Sequence, residues 1–375
     1  MRIVCIAASF VPSKAANSIQ VMKVCSALAG LGHSVTLIVP GDKQIPWDEL
    51  QGHYGVQASF NIQWVRENLA FKRYDFSLKA VRMARKLKPD LLYTWVLQAA
   101  VLGLWMKIPT LLEMHDRVTG KFAPWLFRQF WQSKTPRCVL AITGALKRAL
   151  ISSFESFVQP DQILIGPDGV DLKRYQPPRQ PQDARQQLGL EQALTVGYTG
   201  HFYAGRGIEL MYELGKALPA INFLWVGGDP GDVEHWKERI ASDKLQNITL
   251  TGFVENQRLP IYQFACDILL MPYGSSIAGS GGGNTADIAS PMKMFEYMAA
   301  GRAIISSDLP VIHEVLDAET AMFCPSGDNS AWKTAILKLA DDPTLRERLG
   351  RAARTKVNDY TWQERQRRAL DGFIR

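Results

Sequence analysis

Cysteine is scarce and unpatterned in this sequence. Its 375 residues hold five, Cys5, Cys25, Cys138, Cys266 and Cys324, odd in number and with no Cys-x-x-Cys pair. That spacing suggests neither a zinc site nor a disulfide framework, and a reducing compartment fits best. Long apolar runs are also missing. The longest candidate, Trp95–Met106, contains Gln98 and is stopped by Lys107 and Pro109, short of the roughly 20 residues a spanning helix needs. The opening Ile3–Ala8 is too short for a signal-peptide core with its cleavage site and reads as a strand. The expectation is a soluble or peripheral protein of the cytoplasm. No Asp-x-Asp occurs, so a divalent metal on a diphosphate is not indicated. Net charge is only +7, which anionic lipid or nucleotide diphosphates would tolerate. Zinc-finger spacing, an RNP motif and a long basic tail are all absent, which argues against nucleic acid.

What is present is a double alternation of strands and helices. The first run has strands at Ile3–Ala8, His33–Val39, Leu91–Thr94, Thr110–Met114, Arg137–Ile142 and Gln162–Ile165. Between them lie helical patterns at Ser18–Leu31, Phe76–Leu87, Leu97–Met106 and Ala145–Ser153. The second has strands at Leu194–Thr199, Asn222–Val226, Ile248–Leu250, Ile268–Met271 and Ala303–Ile305, again separated by helical patterns. Two such runs predict an α/β protein with two parallel-sheet domains. A linker is expected at Tyr175–Pro181, which holds three prolines. The stretch Trp362–Arg375 reads as a terminal helix.

The stretch that organises the second half is Ser290–Gly301, SPMKMFEYMAAG. Ser290 is expected at a helix N-cap, with Pro291 at the first helical position and Gly301 ending the helix. A helix N-terminus suits phosphate. Just before it, Gly279–Asn284 offers bare backbone that could wrap an anion. Lys293 and Glu296 are three apart and share a face. A carboxylate so placed can accept both hydroxyl protons of a ribose. This is a nucleotide site in outline.

Two other motifs fail as alternatives. Gly200–Gly207 has P-loop glycine spacing without the Lys-Ser/Thr end. Gly279–Asn284 does not match G-x-G-x-x-G cleanly and does not directly follow a strand, which counts against a dinucleotide oxidoreductase. His115-Asp116, by contrast, follows strand Thr110–Met114 at the edge where ligands of open α/β sheets bind. Glu113 is expected on the opposite face, outside the site.

SPMKMFEYMAAGRAIISSDLP resembles the C-terminal signature of the family-4 retaining glycosyltransferases. Supporting matches are Gly32-His33-Ser34-Val35, His115-Asp116 and Pro167-Asp168-Gly169-Val170-Asp171. The resemblance implies a GT-B fold, with two Rossmann-like domains facing across a cleft. The expected division is residues 1–176 for the acceptor side, 177–359 for the nucleotide-sugar side, and a terminal helix 360–375 returning to the first domain. It implies a metal-independent, cofactor-free transfer of a hexose from a nucleotide-diphosphate sugar to a hydroxyl, with retention of configuration. UDP-hexose is the lean and GDP-mannose the close competitor. The acceptor is a glycan, a lipid-linked group or a small molecule.

The same resemblance assigns roles. Arg206 takes the place of the family's phosphate-binding lysine and joins Lys293 and the Ser290 helix end on the leaving diphosphate. Glu296 holds the ribose and His115 meets the sugar. Two positions depart from the pattern. Ile288 stands where many relatives have a first glutamate, so Gly282, Gly283, Asn284 and Thr285 backbone groups, or Asp287, would contact the sugar instead. His201 replaces the first of two basic phosphate ligands and is a weaker clamp. These departures support a second reading, a catalytically weak nucleotide-binding homologue acting as a partner or regulatory subunit. A GT-B epimerase or phosphorylase is a third.

Two stretches bear on the acceptor. Lys72–Lys88 carries seven basic residues against Asp75, and Lys121–Arg137 interleaves Phe122, Trp125, Phe127, Phe130 and Trp131 with basic residues. They read either as a solvated helix face and an interdomain wall or as a docking edge for an anionic membrane at its inner face.

Overall fold

The computed structural model describes residues 1–68, 74–276 and 284–374. The chain divides into two compact units, Met1–Asp168 with Trp362–Arg375, and Gly169–Thr361. The described residues of the first form a parallel sheet from β1 (Arg2–Ile6), β2 (Ser34–Pro40), β3 (Asn61–Val65), β4 (Leu91–Thr94), β5 (Thr110–Met114), β6 (Arg137–Ala141) and β7 (Ile163–Ile165). Its order is β3-β2-β1-β4-β5-β6-β7. Those of the second form another from β8 (Thr195–Gly200), β9 (Asn222–Gly227), β10 (Ile248–Leu250), β11 (Ile268–Met271), β12 (Ala303–Ser307) and β13 (Met322–Cys324), in the order β10-β9-β8-β11-β12-β13. Each sheet therefore reverses its winding once, between β1 and β4 and between β8 and β11. Ligands of doubly wound sheets bind at the carboxyl ends of such strands.

Every paired strand is parallel, which requires both faces of the sheet to be covered. The central strands satisfy this as continuous buried runs: Leu91–Thr94, Ile268–Met271 and Ala303–Ser307 are buried at every position. The second unit's core gathers Trp225, Ile268, Leu270, Ile305, Trp332 and Ile336. All five cysteines are free and buried. No described helix is long and apolar enough to cross a membrane.

The expected linker and division are displaced. The units part at Asp168–Gly169 rather than after Gln176. Tyr175 is fully buried, with its hydroxyl donating to Gln263 at 2.6 Å, and Pro181 already starts helix Pro181–Leu188. The three prolines therefore mark a tethered approach to the second sheet. Helix Trp362–Ile374 belongs to the first unit, where it packs on helix Ala16–Gly30. The stretch 121–137 also divides. Phe127, Phe130 and Trp131 are core residues of helix Ala123–Gln132, and only Phe122 and Trp125 are exposed. Helical spacing put the three on the inward stripe. Of the basic run at 72–88, Lys72 and Arg73 lie outside the described residues, while Lys79, Arg82, Arg85, Lys86 and Lys88 are exposed.

Candidate functional site: paired cations on the second sheet and a buried histidine network on the first

In the second unit the site forms at the reversal of the sheet. The loop after β8 runs through His201 to Arg206 and meets the loop after β11, where Gly274 N–H donates to Gly205 C=O at 2.9 Å. Arg206 sits between two glycines of positive φ, Gly205 (81°) and Gly207 (75°). Gly207 has no alternative, because a Cβ there would lie 2.1 Å from the Pro272 carbonyl oxygen. The turn thus aims Arg206 across Tyr273, its guanidinium 5.3 Å from the ring centre.

Helix Met292–Ala300 brings Lys293 to the same place. Its Nζ lies 3.7 Å from the centre of the Tyr198 ring and 5.6 Å from that of Tyr273. It also lies beside the backbone of Gly200, where a Cβ would approach it to 2.8 Å. The ammonium is buried and has no hydrogen-bond partner among the described residues. Burial first, and then the charge of Arg206, push its pKa well below the usual lysine value against the opposing pull of Glu296. Two cations converge with one of them unsatisfied. An anion with oxygens for both is what this arrangement accepts.

One turn along the helix, Glu296 is half-buried. Gln263 Nε2 donates to its Oε2 at 3.2 Å and to Thr199 Oγ1 at 3.1 Å, while Tyr175 fixes the other end of the Gln263 amide. No hydrogen bond among the described residues reaches Glu296 Oε1. A carboxylate braced at one oxygen and open at the other suits a diol. Gln263 and Tyr175 were missed in the sequence, where neither carries a local signature.

The helix starts later than the sequence suggested. Pro291 occupies the N-cap position with ψ 121°, no side chain caps the helix, and Met292 is its first residue. A proline at the first helical position needs a helical ψ, which Pro291 lacks, so Ser290 is a buried residue ahead of the cap. Asn284 donates to Ser275 C=O at 3.2 Å, and its Oδ1 accepts from Ala286 N–H at 3.0 Å. Thr285 C=O accepts from the N–H groups of Ile288 and Ala289. Asp287 is exposed, while Ile288 is 1% exposed and part of the core. Gly282 and Gly283 lie outside the described residues. His201 stacks on Tyr203 at 4.8 Å, and its carbonyl accepts from Tyr198.

In the first unit, His115 stands just past β5 with its side chain 35% exposed. Its Nε2 is 2.8 Å from Glu113 Oε1. Glu113 therefore faces the site, contrary to the expectation from the sequence. Residues two apart on a strand share a face, and Glu113 and His115 do. The Glu113 carboxylate is fully buried and also accepts from Gln20 Nε2 at 2.5 Å, from the Tyr93 hydroxyl and from Arg365. Burial alone would raise its pKa, but the charge of Arg365 and the His115 hydrogen bond hold the carboxyl well below the usual range. Burial would lower the His115 pKa, but Glu113 and Asp168 outweigh it and raise it. Asp168 itself is pushed up to about 6 by burial.

The chain is also similar to known proteins. Residues 193–342 match the family described as "Glycosyl transferases group 1", and residues 18–174 match "Glycosyltransferase Family 4". A GDP-mannose-dependent monoacylated alpha-(1-6)-phosphatidylinositol monomannoside mannosyltransferase of Corynebacterium glutamicum is 27% identical over 52% of this chain and 52% of its own length. The sulfoquinovosyl transferase SQD2 of Arabidopsis thaliana is 22% identical over 74% of this chain and 55% of its own. The chain thus spans about half the length of these curated relatives. Among solved structures, Anabaena HepE in complex with UDP-glucose superposes with a TM-score of 0.76 at 14% identity, covering 100% of this chain and 99% of that one. Both halves are matched, each on its own parallel sheet, and the chain belongs to the family-4, group-1 glycosyltransferases with the GT-B fold.

Proposed function

We propose that the protein moves a hexose from a nucleotide-diphosphate sugar to a hydroxyl of a glycan, lipid or small-molecule acceptor, with retention and without a divalent metal. One observation carries the reading. Arg206 and the unsatisfied Lys293 converge at the carboxyl ends of β8 and β11, one helical turn from the half-open carboxylate of Glu296. That spacing fits a diphosphate followed by a ribose. Two fixed cations supply the charge that a metal would otherwise bring to the leaving group. Both are preorganised, Arg206 by its glycine-flanked turn and Lys293 by the two tyrosine rings.

In this mechanism Arg206 and Lys293 stabilise the diphosphate as the glycosidic bond breaks. Glu296 fixes the ribose, and the acceptor attacks from the face the leaving group departs. Its proton passes to a phosphate oxygen, so no protein nucleophile is required. Retention follows from the family resemblance, as does the role of His115 toward the sugar. The lean to a UDP-hexose draws on the UDP-glucose complex of Anabaena HepE, and the GDP-mannose-dependent relative makes GDP-mannose the alternative donor. Phe122 and Trp125, exposed beside Lys121, favour an acceptor at an anionic membrane edge in the cytoplasm.

The test is transfer from radiolabelled UDP-glucose, UDP-galactose and GDP-mannose to an acceptor panel in EDTA, with the product anomer read by proton NMR. Transfer from one donor in EDTA with the donor's anomeric configuration supports the reading. Inversion, or a strict metal requirement, overturns that part of it. The burial of Ile288 favours a second reading, a nucleotide-binding partner subunit, which predicts nucleotide binding without turnover.

A further inference from the structure

The His115 network uses more of the first unit than a single hydrogen bond requires. Arg365, from the terminal helix, is buried with its partner Glu113, their side chains 3% and 0% exposed. Its Nε donates to the carbonyls of Gly166 and Pro167 at 3.1 and 2.8 Å. Its two terminal nitrogens reach Glu113 Oε2 and Oε1 at 3.2 and 2.7 Å, a bidentate fork on a carboxylate. Glu113 Oε1 is at the same time the acceptor facing His115 Nε2. No other hydrogen bond to His115 is made among the described residues, so its Nδ1 is the nitrogen left for a ligand.

We propose that Glu113 and Arg365 are positioning residues for His115. Arg365 clamps the Glu113 carboxylate between the terminal helix and the loop after β7, and Glu113 holds His115 in the Nε2–H form with Nδ1 directed to the reacting sugar.

The clamp explains why so costly a pair is buried here. A buried ion pair is weak evidence of stability, whereas fixing one geometry is a recognised use for it. It also explains the sharing of Oε1. The carboxylate that orients the imidazole is itself braced from helix Ala16–Gly30 by Gln20, from β4 by Tyr93 and from the terminal helix by Arg365, so rotation about its side-chain bonds would break four hydrogen-bonded contacts. The groups that set the charge at His115 are Glu113 on β5, Arg365 on the terminal helix and Asp168 after β7. Tyr93 and Cys25 face Glu113 and are held neutral by burial and by its charge. The raised His115 pKa agrees with the geometry, since an imidazole on a fixed carboxylate keeps its proton longer.

The inference rests on His115 serving the sugar, and its test separates the two. The full chain, labelled with 15N-histidine, has six histidines, and two-bond proton–nitrogen correlations identify each tautomer. Assignment uses His115→Gln. The expected result is a His115 resonance locked as the Nε2–H tautomer above its pKa and titrating higher than an exposed histidine. In Glu113→Gln and Arg365→Lys the tautomers mix and the pKa of His115 falls. Transfer should lose tenfold or more in kcat with the donor KM changed less than threefold, and the acidic limb of the pH profile should move with the His115 pKa. An Nδ1–H tautomer in the unmodified protein overturns the proposal even if no variant folds. So does a wild-type-like His115 in both folded variants, whatever their activity. If the unmodified protein transfers no sugar, the proposed function fails, while the tautomer still decides the positioning inference.

Discussion

Replacing Lys293 by methionine should shift stability in opposite directions with and without nucleotide. In the free protein the ammonium is buried, lacks a hydrogen-bond partner and is repelled by Arg206. An unsatisfied buried donor costs about 1–3 kcal/mol, more when charged. The Tyr198 ring at 3.7 Å returns part of that, about 2 kcal/mol for a desolvated cation–π contact. The downward pKa of Lys293 says that the unfavourable terms prevail. Lys293→Met keeps most of the length of the side chain and removes the charge, so the free protein should gain about 1 kcal/mol, or roughly 2–4 °C in Tm for a domain of this size. Nucleotide reverses the sign. A hydrogen bond to a charged group contributes about 1.5–3 kcal/mol, so Kd for the diphosphate should rise at least tenfold. At a ligand concentration a hundred times the wild-type Kd, stabilisation should fall from about 2.7 to at most about 1.4 kcal/mol. Differential scanning fluorimetry with and without UDP or GDP reads both effects on one plate. A variant that is less stable when free and still fully stabilised by nucleotide would refute the argument, and Lys293 would then be a structural cation held by its rings.

The pKa of a depressed lysine also fixes a pH dependence. The unfolded chain keeps its proton to the ordinary lysine range while the folded chain releases it earlier, so stability should rise with pH from the lowered value up to that range, and Lys293→Met should flatten the rise. Asp168 behaves oppositely. Its folded pKa of about 6 exceeds the ordinary 3.8, so its contribution is present below pH 4 and lost as pH rises through 6. Relative to Asp168→Asn, the wild type should lose about 3 kcal/mol over that window in urea titrations at stepped pH, and parallel curves would contradict it. Gly207→Ala forces a Cβ to 2.1 Å from Pro272 oxygen at φ 75°. It should cost more than about 1–2 kcal/mol, the strain of the left-handed backbone alone, and a neutral result in chemical denaturation would show that the turn relaxes. Tyr175→Phe removes the hydroxyl that fixes Gln263 and, through it, Glu296. Nucleotide affinity should fall by a few-fold while 2′,3′-dideoxynucleotide binding, already lacking the ribose contact, should not change.

The double alternation of strands was legible because central parallel strands are continuous apolar runs, as in Ile268–Met271 and Leu91–Thr94. Two of the four edge strands were not, although β7 and β10 were read. Strand Asn61–Val65 is only half-buried, and β13 is three residues long. In the site, Arg206, Lys293 and Glu296 were readable because one helix and one glycine-rich turn carry them. Ser290 was misplaced by a single dihedral, the extended ψ of Pro291. Ile288 could be named as a departure, yet its burial in the core depends on packing that no local pattern encodes. Arg365 was out of reach for a different reason. Its partner Glu113 lies 252 positions away, and an arginine in the tail WQERQRRAL looks like any charged helix residue until its neighbours in space are known. Glu113 was within reach, because its two-residue offset from His115 already places both on one side of β5.

The most direct test of a donor site on the second sheet is thermal unfolding in EDTA with a panel of nucleotides and nucleotide-sugars, for the wild type and Glu296→Ala. The account predicts that one nucleoside diphosphate raises Tm without metal and loses most of its effect in the variant. If no nucleotide stabilises the wild type, or if the shift survives Glu296→Ala unchanged, the paired cations and the carboxylate do not form a nucleotide site.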